Sequence, residues 1–136
     1  MTPYDTSERV LTELDHIRLA GLLRRADSEA DTPLDEWLDS ADLVSSRDVG
    51  PDIVTMYSQL LLADAAGGPR RTLTLCYPAD ADPQAGFVSV LSPVGAALLG
   101  RRVGSVAAWV TPDGRRHAVE IVAVLFQPEA SGDYTT

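Results

Sequence analysis

Val90-Leu91-Ser92-Pro93-Val94-Gly95-Ala96-Ala97-Leu98-Leu99-Gly100 decides how the second half of this chain folds. A short apolar run ends at Ser92. Serine before proline is a good helix N-cap followed by the residue best tolerated at the first helical position. A turn of small and apolar residues follows, and Gly100 stands where a glycine ends a helix. The stretch therefore predicts a strand running straight into one short helix, with Leu98 and Leu99 in the core.

Strand signals surround it. After Gly50-Pro51 the period changes from helical to extended, with candidate strands at Ile53–Leu61, Arg71–Tyr77, Phe87–Leu91, Val106–Val110 and Ala118–Phe126. Gly67-Gly68-Pro69 and Pro112-Asp113-Gly114 are turn signals, so the strands flanking each are expected to pair antiparallel. In the last strand, alternation places Val119, Ile121, Ala123 and Leu125 on one face and Glu120 on the other. Residues 79–86 read as a polar connection. A twisted antiparallel sheet crossed by one short helix is the economical arrangement.

The segment before Gly50 is a different material. Leu14, Ile17, Leu22 and Leu23 recur at helical spacing over residues 13–25, and Arg24 and Arg25 suit a helix C-terminus. A polar connection over residues 26–31 leads to Thr32-Pro33-Leu34-Asp35, a capped helix start. Leu34, Trp37, Leu38 and Ala41 form its apolar stripe. The expectation is an α+β chain: an antiparallel two-helix hairpin over residues 1–50, then a β-sheet domain over residues 51–136.

Charge separates the same two parts. The net charge of −9 is concentrated in residues 1–52, with 13 acidic against 5 basic side chains, while residues 53–136 carry 7 against 6. Such a surface repels phosphate backbones, so direct nucleic-acid binding is not expected. Docking on a basic protein surface is compatible with it. The 136 residues are 45% hydrophobic, enough for a packed core. No apolar run has membrane-spanning length, and the first residues carry no secretory pattern. The single Cys76 sits in a strand pattern and reads as a buried reduced thiol. Together these features point to the cytoplasm.

Catalytic patterns are thin. His16 and His117 lie in different segments without a second ligand at metal spacing. No phosphate-cradling glycine loop is present, the chain has no lysine, and Ser92 lacks a nucleophile elbow. No cofactor or metal is expected.

Several separated segments, in order, carry a family resemblance: "DIVTMYSQL" at Asp52–Leu60, "LTLCYPAD" at Leu73–Asp80, "LSPVGAALLGRRVG" at Leu91–Gly104, "TPDGRRHAVEIVAV" at Thr111–Val124 and "LFQPEASGDY" at Leu125–Tyr134. They resemble the C-terminal domain of the Gre transcript-cleavage factors and, more closely, the regulator-of-nucleoside-diphosphate-kinase family. Before about Pro51 only the two-helix pattern carries over. The resemblance implies an FKBP-like second domain. It also implies that Ser92, Pro93 and Val94, with Arg101 at the helix end, meet the rim of the RNA polymerase secondary channel. Family patterns often place a non-polar residue where this chain has Arg101.

In the Gre factors, paired acids at the tip of a long hairpin help hold a catalytic magnesium ion inside the polymerase. The corresponding tip here holds Asp27, Glu29 and Asp31, followed by Asp35 and Glu36. A helix of about 13 residues extends only ~20 Å, too short for those acids to reach a deeply buried centre, and the tip lacks the Gre spacing. They are expected to face solvent or a partner, with metal binding the lesser reading. The resulting expectation is a non-enzymatic regulator that competes with Gre-type factors without stimulating cleavage. Two alternatives are a weak cleavage factor using the tip acids, and a prolyl isomerase, which needs an aromatic-lined cavity; only Tyr77, Phe87, Trp109 and Phe126 are placed on the sheet to line one, and core side chains are expected to fill it.

Overall fold

A computed structural model describes residues 9–25, 37–64, 67–111 and 113–132. The expected tip residues Asp27, Glu29 and Asp31, and the helix start at Thr32, lie outside the described residues. Strand β1 (Val10–Thr12) leads directly into helix α1 (Glu13–Arg25). The 3-10 turn Leu38–Ser40 precedes β2 (Asp42–Val44). Strands β3 (Gln59–Asp64), β4 (Arg71–Cys76) and β5 (Phe87–Ser89) follow, then helix α2 (Pro93–Leu98), β6 (Val106–Val110) and β7 (Arg116–Phe126). The sheet order is β5-β4-β3-β7-β6, and β1 and β2 form a separate parallel pair.

The fold is mixed α+β with a mostly antiparallel sheet, and both glycine-containing turns join antiparallel neighbours. Helix α1 occupies the predicted residues. Four details differ from expectation. The stripe Leu34-Trp37-Leu38-Ala41 does not continue as helix through Ala41. Ala41 is extended with ψ 147°, and Asp42 N–H donates to Arg9 O at 2.8 Å, drawing the chain into the β1–β2 pair. The strand expected from Ile53 begins only at Gln59, because Tyr57 has φ +66° and interrupts the extended run. Strand β5 pairs with β4 in parallel. The Tyr77–Gly86 connection contains two 3-10 turns and carries the chain back across the sheet end instead of closing a hairpin. In β7, register shifts opposite β3 at Gln59/Leu60 and Leu61/Leu62 reset the alternation. Val119 and Ile121 are buried, Ala123 is half-buried, and Leu125 is exposed.

One hydrophobic cluster joins Leu60 and Leu62 of β3, Leu73 and Leu75 of β4, Val119 and Ile121 of β7, and Leu98 of α2. Leu11, Leu19 and Trp37 belong to the same cluster, so the core is continuous across residue 50. Leu98 and Leu99 are completely buried, as expected. Each contributes on the order of 2 kcal/mol by its removal from water. Beyond β7, Gln127 is 3% exposed and its Nε2 donates to Gly50 O and Ile53 O, each at 2.8 Å. It fastens the chain reversal that precedes the sheet.

Candidate partner-docking surface

The turn that opens α2 is locked by short-range hydrogen bonds. Ser92 is extended (φ −71°, ψ 159°), and its Oγ accepts from Gly95 N–H at 3.1 Å while donating to Ser89 O at 2.7 Å. Leu91 N–H donates to Ser89 Oγ at 3.1 Å, and Ala96 N–H to Ser92 O at 2.9 Å. Pro93 fixes φ at the first helical position. Ser92, Pro93 and Val94 are half-buried, whereas Gly95 through Leu99 are buried. The body of the helix is thus buried, while its capped start at Ser92, Pro93 and Val94 stays partly accessible.

The other end of α2 is held by two arginines. Its last turn leaves carbonyls without partners inside the helix. Arg9 Nη1 donates to Ala96 O at 2.9 Å and Leu99 O at 3.0 Å, and Arg101 Nε donates to Ala97 O at 2.8 Å. Arg101 is only 6% exposed. Its expected place among the partner-contacting residues is therefore corrected: the guanidinium is turned inward, to the helix C-terminus. The exposed cation on this edge is Arg102, whose Nη1 lies 3.8 Å from Asp52 Oδ2.

Arg9 was not foreseen, because nothing in the local pattern of Glu8-Arg9-Val10 marks a buried arginine. It is 5% exposed and its guanidinium lies 4.2 Å from the centre of the Trp37 ring. Burial, and then the charge of Arg101, act against its protonated form. The helix carbonyls and the Trp37 face offset that cost. Arg9→Ala should therefore lower stability by about 3 kcal/mol, because it strips partners from buried carbonyls and leaves a void. Urea unfolding followed by tryptophan fluorescence measures this, and an unchanged midpoint would contradict the assignment.

Other residues considered for chemistry are dispersed. Cys76 is buried, its Sγ donates to Val88 O at 3.5 Å, and burial pushes its thiol pKa up. His117 is exposed and stacks on Trp109 with ring centres 5.5 Å apart. His16 is half-buried on α1. Among the described residues, no group of three or more His, Cys, Asp or Glu could hold a metal ion. The aromatics required for an isomerase cavity do not converge: Tyr77 lines a groove beside α1, Trp109 lies at the β6–β7 hairpin, and Phe87 and Phe126 are exposed. No helix among the described residues is long and apolar enough to cross a membrane.

Residues 49–126, which hold the whole five-stranded sheet and α2, match the family described as transcription elongation factor GreA/GreB, C-terminal. The chain belongs to this GreA/GreB family. It is 37% identical over 129 residues to the regulator of nucleoside diphosphate kinase of Escherichia coli (strain K12), covering 92% of this chain and 94% of that protein. It is 34% identical over 91 residues to the transcription elongation factor GreA of Geobacillus kaustophilus, covering 67% of this chain but 57% of that factor. A solved GreA/GreB elongation factor from Nitrosomonas europaea has the same fold, with a TM-score of 0.73 and 34% identity over 87% of this chain and 99% of that one. These GreA/GreB relatives are named as regulators or elongation factors. The protein is accordingly a Gre-factor-related regulator.

Proposed function

We propose that this GreA/GreB-family protein binds RNA polymerase at the rim of the secondary channel through Ser92, Pro93 and Val94, in an FKBP-like body spanning residues 51–136. Residues 1–50 place a short acidic arm at the channel mouth. The protein then competes with longer Gre-type factors by occupancy, stimulates no transcript cleavage, and is not an enzyme.

The observation that carries this reading is the reach of α1. Among the described residues the helix runs from Glu13, directly after a strand anchored in the core, to Arg25, 13 residues in all. At 1.5 Å per residue those 13 residues are about 20 Å long, and Leu19, midway along, is buried in the core, so the helix stays close to the body. The docking turn supports the same reading, since a loop already fixed by its own hydrogen bonds loses little freedom when it binds.

Competition between this protein and GreA for purified polymerase tests the proposal. Displacement of GreA, with no cleavage in a stalled elongation complex supplied with magnesium, is the expected result. Absence of binding, or cleavage that disappears in Asp31→Ala, overturns it. Ser92→Glu and Pro93→Ala should each weaken polymerase binding about tenfold, roughly the loss of one good interfacial contact. Circular dichroism should show the fold retained. Unchanged affinity in both variants removes the turn from the interface.

A further inference from the structure

Helix α1 and the segment after β4 enclose a groove that the polymerase reading does not use. It has a volume of about 810 Å³ and is lined by Ile17, Arg18, Leu22 and Arg24 from the helix and by Tyr77 and Ala79 from the body. That volume falls within the range typical of small-molecule sites. The lining is chemically specific. Ile17 is 67% exposed at its rim, with nothing over it among the described residues, and it offers the groove an accessible aliphatic surface. The Tyr77 ring leans against Tyr57, with centres 5.7 Å apart, which fixes its orientation. The Tyr77 hydroxyl lies beside the Arg18 guanidinium.

The charge is as particular as the shape. The chain carries 20 acidic and 11 basic residues, yet among the described residues the groove is lined by two arginines and no acid. Asp15, which interacts with Arg18, is buried beneath, and burial raises its pKa to about 7, so it offsets the guanidiniums only in part. Two cations over an aromatic and aliphatic wall suit a ligand with an anionic head and an apolar body: guanidinium forks pair with phosphate, sulfonate or carboxylate, and the wall takes the body.

We propose that this groove is a binding site for a small organic anion with a flat apolar body, its head held by Arg18 and Arg24 and its body laid on Ile17, Leu22 and Tyr77. The site bridges arm and body, so occupancy ties α1 to the Tyr77–Ala79 segment and resists their separation. The site does not depend on polymerase binding.

Titration of the full ¹⁵N-labelled chain with phenyl phosphate, followed by amide shifts, tests this. Inorganic phosphate and phenol serve as the head-only and body-only probes. Saturable shifts confined to the amides of residues 17–24 and 77–79 are expected with phenyl phosphate, at an affinity about tenfold or more above either fragment. The melting temperature should rise with ligand. Arg24→Gln should weaken binding about tenfold and Ile17→Glu should abolish it; both side chains are exposed, so the amide spectrum should otherwise be retained. Absence of saturable shifts at millimolar phenyl phosphate overturns the proposal. So does equal binding by inorganic phosphate, or an Arg24→Gln variant that binds as the parent does.

Discussion

Gly95→Ala should cost about 4 kcal/mol, at the upper end of what one added methyl group does to a protein. Gly95 is buried at the third position of α2, where alanine is normally the better helix former. A Cβ there would lie 2.1 Å from Ser89 O and 2.9 Å from Val90 Cα. Both are backbone atoms of the strand exit, so no side chain can rotate aside. Either α2 lifts from the sheet, exposing Leu98, or the Ser89–Ser92 turn opens and the N-cap is lost. Urea unfolding reads the loss directly, and a midpoint within error of the parent would show that the helix does not sit against the strand as described. Because the turn proposed to dock on the polymerase is part of the same unit, polymerase affinity is expected on that proposal to fall together with stability. That behaviour separates Gly95→Ala from Pro93→Ala, which should weaken binding alone.

The second large effect is a stability that declines as pH rises. Asp15 is fully buried on the first turn of α1. Its Oδ2 accepts from Met56 N–H at 3.2 Å, and its own N–H donates to Thr12 Oγ1 at 3.0 Å. Burial raises its pKa from 3.8 to about 7, opposed by the Met56 hydrogen bond and reinforced by nearby Glu129. The folded chain therefore holds a proton that the unfolded chain has released. The resulting stabilisation is complete below about pH 4, falls as pH rises, and is exhausted above about pH 7. A displacement of roughly three pH units corresponds to about 4 kcal/mol. Asp15→Asn keeps an acceptor for Met56 and cannot ionise, so its stability should vary less between about pH 4 and pH 8 and should exceed that of the parent at the upper end. Denaturation at several pH values checks this. Parallel parent and variant profiles would show that Asp15 does not ionise across the interval.

Elements with a local signature were legible in the sequence. The Ser92 cap, Pro93, the Gly100 stop and the β6–β7 turn each rest on backbone chemistry that a few adjacent residues fulfil, and Val106–Val110 forms a strand over the predicted residues. Gly100 does adopt a positive φ of +83°. Elements set by distant neighbours were not legible. Residues 42–44 pair as β2 because β1 and Arg9 lie alongside, and no local period announces a three-residue strand. Arg101 carries the composition of a surface residue. It turns inward because α2 ends with carbonyls facing it.

The order of residues alone thus determined the capped helix, the strand-rich second half, the arm helix and the unequal division of charge, since each follows from the short-range preferences of neighbouring side chains. Tertiary structure alone decided that Arg9 caps a helix nearly ninety residues away, that Gly95 is a close-contact glycine and that Asp15 is a buried acid. Those roles depend on which distant backbone atoms arrive beside the side chain, and packing supplies that information where sequence spacing cannot.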